Sequence, residues 1–175
     1  MGQRPEEIWD YYESALDAFD LVGQCARLPA AGSDPLLARW RFSTPRQVEA
    51  ALRSMRDELE FEVSLALLAS FESIIDEDFL LREVGSDRFS HAISRLRVRT
   101  SDPRLEEILD CWKERSPAAQ AAIGEFKQLV KFRHWLAHGR SAAKKGYGNF
   151  SPRLIWRRAQ SLQKAVPGFP RLVPS

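Results

Sequence analysis

Four capping residues that are each followed by proline constrain the fold of this chain more than any other sequence feature. A Thr, Ser or Asp side chain accepts hydrogen bonds from the free amides at a helix start. Proline is favoured at the next position because the amide hydrogen that it lacks would be unpaired there anyway. The pairs predict four helix starts: Thr44-Pro45, Asp102-Pro103, Ser116-Pro117 and Ser151-Pro152.

Apolar spacing extends these starts into helices. Gln47 stands where it completes a capping box with Thr44. The residues that follow on one helical face are Val48, Leu52, Met55 and Leu59. The whole sequence predicts helices over about residues 6–28, 44–76, 88–98, 102–114, 116–139 and 151–164. Residues 93–100 could instead form a strand, although no alternating run between hairpin turns stands out. We therefore predict an all-α bundle of about five to six helices.

Length and composition indicate one globular unit. The chain has 175 residues, of which 44% are hydrophobic and 29% charged. These fractions are ordinary for a folded domain and exclude a disordered or fibrous chain. A chain of this length buries enough apolar surface to fold without disulfides. We expect residues 1–175 to form a single helical domain with an irregular tail over 166–175.

No segment predicts a membrane or secretory role. The longest uncharged apolar run, Val63 to Phe71, is nine residues long, whereas a membrane span needs about 18. The first ten residues, MGQRPEEIWD, are polar and acidic, so we expect no secretory signal. Two cysteines, Cys25 and Cys111, make no disulfide framework and suit a reducing compartment. We therefore expect a cytoplasmic protein that contacts no membrane.

The charges are divided unevenly along the chain. The 50 residues after Glu125 carry 11 basic and no acidic side chains, while the first 125 carry 15 basic and 24 acidic ones. Such asymmetry favours contact between the C-terminal part and a polyanion or acidic partner. Arginine outnumbers lysine 20 to 6, which favours phosphate because the guanidinium forks onto its oxygens. The alternative is that the basic segment packs on the acidic part of the same chain.

Two of the three histidines lie in the segment Lys131 to Arg140, KFRHWLAHGR, at the predicted end of the fifth helix. On an ideal helix His134 and His138 are about 40° apart, and Arg133 and His138 about 140° apart. Arg133 and His138 can therefore converge on one phosphate in only two ways. Either the last helical turn loosens, or a second chain contributes another copy.

Four interpretations of this segment remain open from residue types alone. The spacing of His134 and His138 suits zinc, but Trp135 replaces the glutamate of a metalloprotease, and no third ligand is near. Cys–His catalysis would need Cys25 or Cys111 nearby, which nothing in the sequence indicates. Histidine and arginine together suit acid–base chemistry at a phosphodiester. The fourth interpretation is a helix end with packed rings and no chemistry.

The order Arg133-His134-Trp135-Leu136-Ala137-His138 resembles the R-x4–6-H motif of the HEPN superfamily. In that motif a polar residue usually follows the arginine, as His134 does here. The segment Leu67 to Glu72, LLASFE, is similar to an earlier core helix of the branch that includes RiboL-PSP-HEPN-type proteins. The resemblance covers about residues 45–165 and implies a helical bundle that often forms a homodimer with the two motifs facing across a cleft.

Many HEPN proteins are endoribonucleases that need neither metal nor cofactor and that act as toxins or in antiviral defence. Carried over to this chain, the resemblance implies that Arg133 binds the scissile phosphate and His138 is the general acid or base. His134 would assist, and Glu72 is a candidate acidic partner. The alternative is a non-catalytic HEPN module that binds RNA, a nucleotide or a partner, such as an antitoxin or a nucleotidyltransferase-like protein.

Further basic residues are candidates for RNA binding. Arg140, Lys144 and Lys145 could hold phosphates while Tyr147 stacks on a base, and the alternative is a polar surface turn. On the last helix, Arg153 and Arg157 share a face at i, i+4 and could line an anionic groove. The alternative for this pair is contact with acidic residues of the first or second helix.

Overall fold

Helices account for all the regular structure in the described part of the chain. The computed structural model describes residues 3–26, 40, 42–83, 88–100, 103–137 and 150–174. The six α-helices are α1 Pro5–Cys25, α2 Pro45–Glu83, α3 Arg88–Arg99, α4 Leu105–Arg115, α5 Gln120–Ala137 and α6 Pro152–Ala165. The predicted all-α bundle is confirmed, and residues 93–99 are helical rather than extended.

Helix α2 is the centre of the bundle. It is 39 residues long and packs against each of the other five α-helices. Its start has the predicted capping box, with the Thr44 amide donating to Gln47 Oε1 at 2.8 Å and the Gln47 amide donating to Thr44 Oγ1 at 3.3 Å. The helix continues seven residues beyond the predicted Asp76 because its apolar face continues, with Ile75 and Phe79 both buried.

Two of the predicted helix starts differ from the observed ones. Helix α4 begins at Leu105, with Arg104 rather than Asp102 as its capping residue, and the Arg104 amide donates to Glu107 Oε2 at 2.9 Å. Pro117–Ala119 forms a short 3₁₀ helix before α5 begins. At α6 the prediction is confirmed, because Ser151 Oγ accepts a hydrogen bond from the Leu154 amide. The predicted last two residues of the fifth helix, 138 and 139, lie outside the described part.

One hydrophobic core collects side chains from all six α-helices and from the tail. Residues 166–174 contain no helix or strand, as predicted for the tail, but Leu172 and Val173 are almost fully buried. The tail is also held by hydrogen bonds. The Gln163 side chain donates to the Val173 carbonyl at 3.0 Å and accepts from the Val173 amide at 2.6 Å.

None of the helices in the described ranges is both long enough and apolar enough to cross a lipid bilayer. The longest, α2, alternates buried apolar residues with charged ones. The helices are therefore built to pack on one another.

Gln163→Ala should lower the free energy of unfolding by about 1–3 kcal/mol, because the variant leaves two backbone groups of a buried residue unpaired. The matched control is Gln160→Ala on the same helix, whose side chain has no hydrogen bond to any described residue. The control should change stability by less than about 0.5 kcal/mol. Urea unfolding of the two variants measures the difference, and equal losses would contradict the role of Gln163.

Stability should also fall at high pH through Tyr12. Its hydroxyl lies 3.3 Å from Glu60 Oε1, and burial, reinforced by the Glu60 carboxylate, raises the pKa of Tyr12 from 10.0 to about 12. Above about pH 10 the unfolded chain loses this proton while the folded chain keeps it, so the unfolded state is favoured until about pH 12. Urea unfolding at about pH 9 and about pH 11 should show a smaller loss for Tyr12→Phe than for the wild type. Equal losses would contradict the pKa shift.

Candidate functional site

The buried face of α5 fixes the direction of the motif side chains. Ile123, Phe126, Leu129, Phe132 and Leu136 are all buried, and their spacing of three to four residues makes one helical stripe. Arg133 follows directly after Phe132 and is half-buried at the edge of this stripe. His134 is one residue further round the helix and is exposed. Helix packing therefore turns Arg133 towards α2 and His134 towards solvent.

Arg133 makes an ion pair with Glu72 of α2. Arg133 Nη2 lies 2.7 Å from Glu72 Oε2, and the two side chains are 32% and 25% exposed. Phe71, the residue before Glu72, is buried on the core face of α2, so Glu72 lies at the border of that face. The structure thus joins two of the predicted site residues that are 61 positions apart in the sequence.

The Arg133 guanidinium is held without being fully used. Its Nε atom is buried and donates no hydrogen bond to any acceptor in the described part of the chain. A guanidinium carries five N–H donors, so a single carboxylate cannot satisfy it. Leaving a buried donor unpaired costs roughly 1–3 kcal/mol. The arrangement suits an arginine that is oriented by Glu72 and still has donors to offer an oxyanion.

A cluster of rings joins the end of α5 to the start of α6. The Phe132 ring lies 5.0 Å from the Phe150 ring and 5.8 Å from the Trp135 ring. Arg158 of α6 covers Phe150 at 4.8 Å, and Ser64 Oγ of α2 donates to the Phe150 carbonyl at 3.5 Å. Phe150 therefore fixes the start of α6 beside the helix turn that carries Arg133.

The predicted basic residues of α6 have different surroundings. Arg153 lies 3.3 Å from Glu13 of α1, in a pair whose side chains are 59% and 45% exposed. Arg157, one turn later, is exposed and has no ion pair among residues in the described ranges. Arg158 faces inward and donates to the Glu125 carbonyl at 3.2 Å. Only Arg157 thus presents an uncompensated charge on the predicted face.

Five predicted site residues fall outside the described part of the chain, and their positions are not known from the structure. They are His138, Arg140, Lys144, Lys145 and Tyr147. Among the predicted residues that are described, Arg133 and Glu72 are in contact. His134 lies on the adjacent exposed surface of α5, and Arg153 and Arg157 lie on α6, which packs against α5.

Metal and thiol chemistry gain no support from the described residues. Within them no three His, Cys, Asp or Glu side chains are grouped so that they could hold a metal ion. Cys25 on α1 and Cys111 on α4 are free and partly buried. Burial, followed by the Glu114 and Asp110 carboxylates, raises the pKa of the Cys111 thiol, which makes a reactive thiolate less available.

Phe150 and Arg158 were not predicted as parts of the site. Phe150 stands directly before the Ser151-Pro152 helix start, where it can pack back on the helix that follows or on one that precedes. An aromatic residue before a helix cap is a recognisable signal of such packing. Its contact with Phe132 depends on the tertiary fold, so the sequence alone does not identify its partner.

Comparison with known proteins gives no relative, since no family model, curated protein or solved structure matches the chain. A function must therefore be inferred from the chemistry of the site itself.

A double-mutant cycle on Glu72→Ala and Arg133→Ala should give a coupling energy of about 1 kcal/mol, because the pair is half-buried and weakly screened. The matched control is the more exposed pair Glu13 and Arg153, replaced in the same way, whose coupling should stay below about 0.5 kcal/mol. Urea unfolding of the variants measures both couplings. Equal couplings would mean that the Glu72 pair holds Arg133 no better than a surface contact.

Proposed function

We propose that this chain is a metal-independent endoribonuclease of the HEPN type. The observation that carries the proposal is the Arg133–Glu72 ion pair at 2.7 Å, which holds the motif arginine at the edge of the core with its Nε unpaired among the described residues. A rigidly held cation with spare donors is suited to stabilise charge that develops on a phosphate in the transition state. The motif arginine of the resemblance is thus physically equipped for its expected task.

The proposed reaction is an internal transesterification of RNA. The 2′-hydroxyl attacks the phosphorus, its proton passes to a base, and the 5′-oxygen leaves with a proton from an acid. His138 supplies one of these two functions, and Arg133 neutralises the phosphate oxygens. The products are a 2′,3′-cyclic phosphate and a 5′-hydroxyl, so neither water nor a metal ion is consumed.

A homodimer is part of the proposal. One motif supplies one histidine in the R-x4-H position, whereas the reaction needs an acid and a base. Two motifs facing each other would supply both. His134, exposed beside Arg133 on α5, would assist in orienting the substrate.

We further propose that the protein acts in the cytoplasm on cellular or viral RNA, in a toxin–antitoxin or antiviral defence role. Its activity would then be restrained by a partner such as an antitoxin or a nucleotidyltransferase-like protein. The net positive charge of the last 50 residues supports an acidic partner, either RNA or protein.

A non-catalytic RNA- or partner-binding module is the second candidate. The observation that favours it is that Glu72 already neutralises Arg133, and Glu13 already neutralises Arg153. Both arginines would then be structural, and the RNA contacts would fall to the remaining basic residues. Cleavage decides between the two candidates.

In a chelator-containing assay on mixed RNAs, His138→Ala should reduce cleavage by about 10²–10⁴-fold, the usual contribution of a general acid or base. Arg133→Ala should reduce it by about 10²–10³-fold through loss of charge stabilisation. The control is Arg46→Ala, an exposed arginine at the start of α2, which should cut like the wild type.

Cleavage by His138→Ala at the wild-type rate would refute the assigned mechanism. If the wild type does not cut but binds RNA with strong salt dependence, the non-catalytic module is correct instead. Helical circular dichroism of each variant separates loss of activity from loss of folding.

A further inference from the structure

Helix α3 is a local concentration of positive charge outside the motif. Its 12 residues include four arginines and His91 and no acidic residue, and Arg104 follows shortly afterwards. The first 125 residues are acidic as a whole, so α3 reverses the charge of the chain around it. Nothing in the proposed chemistry at the motif uses this helix.

The placement of these charges weakens the helix rather than stabilising it. His91, Arg95 and Arg99 follow one another at i, i+4 and i+8, so they share one face, and like charges at this spacing repel. The first turn of α3 holds no acidic residue, although acidic residues there would stabilise the helix dipole. A local pattern that costs stability is expected at functional surfaces.

The structure relieves only part of this repulsion. Arg97 lies over the Phe79 ring of α2 at 5.9 Å. Arg99 lies 3.7 Å from Glu107 in a solvent-exposed pair. Arg95 is exposed and makes no ion pair with any residue that the structure describes. The outward face of α3 therefore has an uncompensated arginine at its centre.

This face is also concave. His91, Ser94, Arg95 and Val98 line a shallow groove that is open to solvent. The opposite side of the helix is anchored, because Ile93 and Leu96 are buried in the core. Helix α3 thus holds its basic face rigidly towards solvent.

The basic face is on the same part of the bundle as the motif. Glu72, which holds Arg133, and Phe79, which lies under Arg97, are both on α2. They are seven residues apart, so they lie on one side of that helix and are separated by about 10 Å along its axis. One extended strand of nucleic acid is long enough to contact both places.

We propose that the outward face of α3, formed by His91, Arg95 and Arg99, binds the phosphate backbone of the RNA strand on which the motif acts. This inference rests on the proposed function, because it assigns the same RNA to a second contact. Charge complementarity identifies the occupant, since a polyanion would remove the repulsion among the three side chains. Contacts of this kind position a strand without reading its sequence.

The test compares the binding of two full-length double variants to a single-stranded 2′-O-methyl RNA, which lacks the nucleophile and so is not cut. A length of about 20 nucleotides exceeds the site sizes of about 4–16 nucleotides that are usual for single strands. The test variant is Arg95→Gln/Arg99→Gln. The matched control is Arg46→Gln/Arg53→Gln, which removes two exposed arginines from the first half of α2.

Binding is measured by fluorescence anisotropy over a series of salt concentrations. Each phosphate contact to a single strand contributes about 0.7 to the slope of log affinity against log salt. The α3 variant should therefore bind more weakly, with a slope that is shallower by about 1.4, while the control keeps the wild-type slope. Its unfolding midpoint should not fall, because the change removes repulsion.

Equal slopes for the α3 variant and the control would overturn the inference, whether or not the wild type cuts unmodified RNA. A wild type that shows the expected loss of slope but never cuts would refute the nuclease and leave the α3 contact standing. If the α3 variant loses binding to vesicles of anionic phospholipid while its RNA slope is unchanged, the face belongs to a membrane and the inference is wrong.

Discussion

Burial of one long apolar face on α2 is the constraint on which the rest of the structure depends. All five of the other α-helices pack against this helix, and its residues Leu67, Phe71 and Ile75 are almost completely inaccessible to solvent. Removing such side chains from water is the main favourable term in folding. Every other element is positioned by what it covers on α2, and this includes the motif helix α5. The site is therefore a property of the α2–α5 contact.

The site combines two effects that oppose each other. The Glu72 carboxylate stabilises the Arg133 charge at the edge of the core, which also reduces the field that the guanidinium presents to a substrate. A fully neutralised arginine would be a poor ligand for phosphate, and an unsupported one would rotate into solvent. The half-buried pair lies between these extremes, since it fixes orientation while leaving donors unused. This balance suits recognition of an oxyanion that forms only during a reaction.

The sequence predicted the helices well and the site only in part. The Thr44 and Ser151 caps were correct because local chemistry alone decides them. At Asp102 a competing local signal was chosen, namely the reach of Glu107 back to the Arg104 amide. The contact between Arg133 and Glu72 joins two helices, so no periodicity within either one reveals it.

The packing of the tail has a similar explanation. Residues 166–174 contain no helical pattern, so they read as an irregular end, yet Leu172 and Val173 complete the core. Short apolar residues in a tail do not say which cavity they fill. The side-chain clasp from Gln163 to Val173 depends on α6 having already docked.

That buried tail has a consequence for the timing of biosynthesis. During translation, domains form progressively from the N-terminal side, but the core of this chain lacks two of its innermost side chains until residues 172 and 173 have left the ribosome. The bundle therefore cannot close while most of it is being made. A chain that threatens RNA would in this way reach its finished shape only after its own messenger had been fully read.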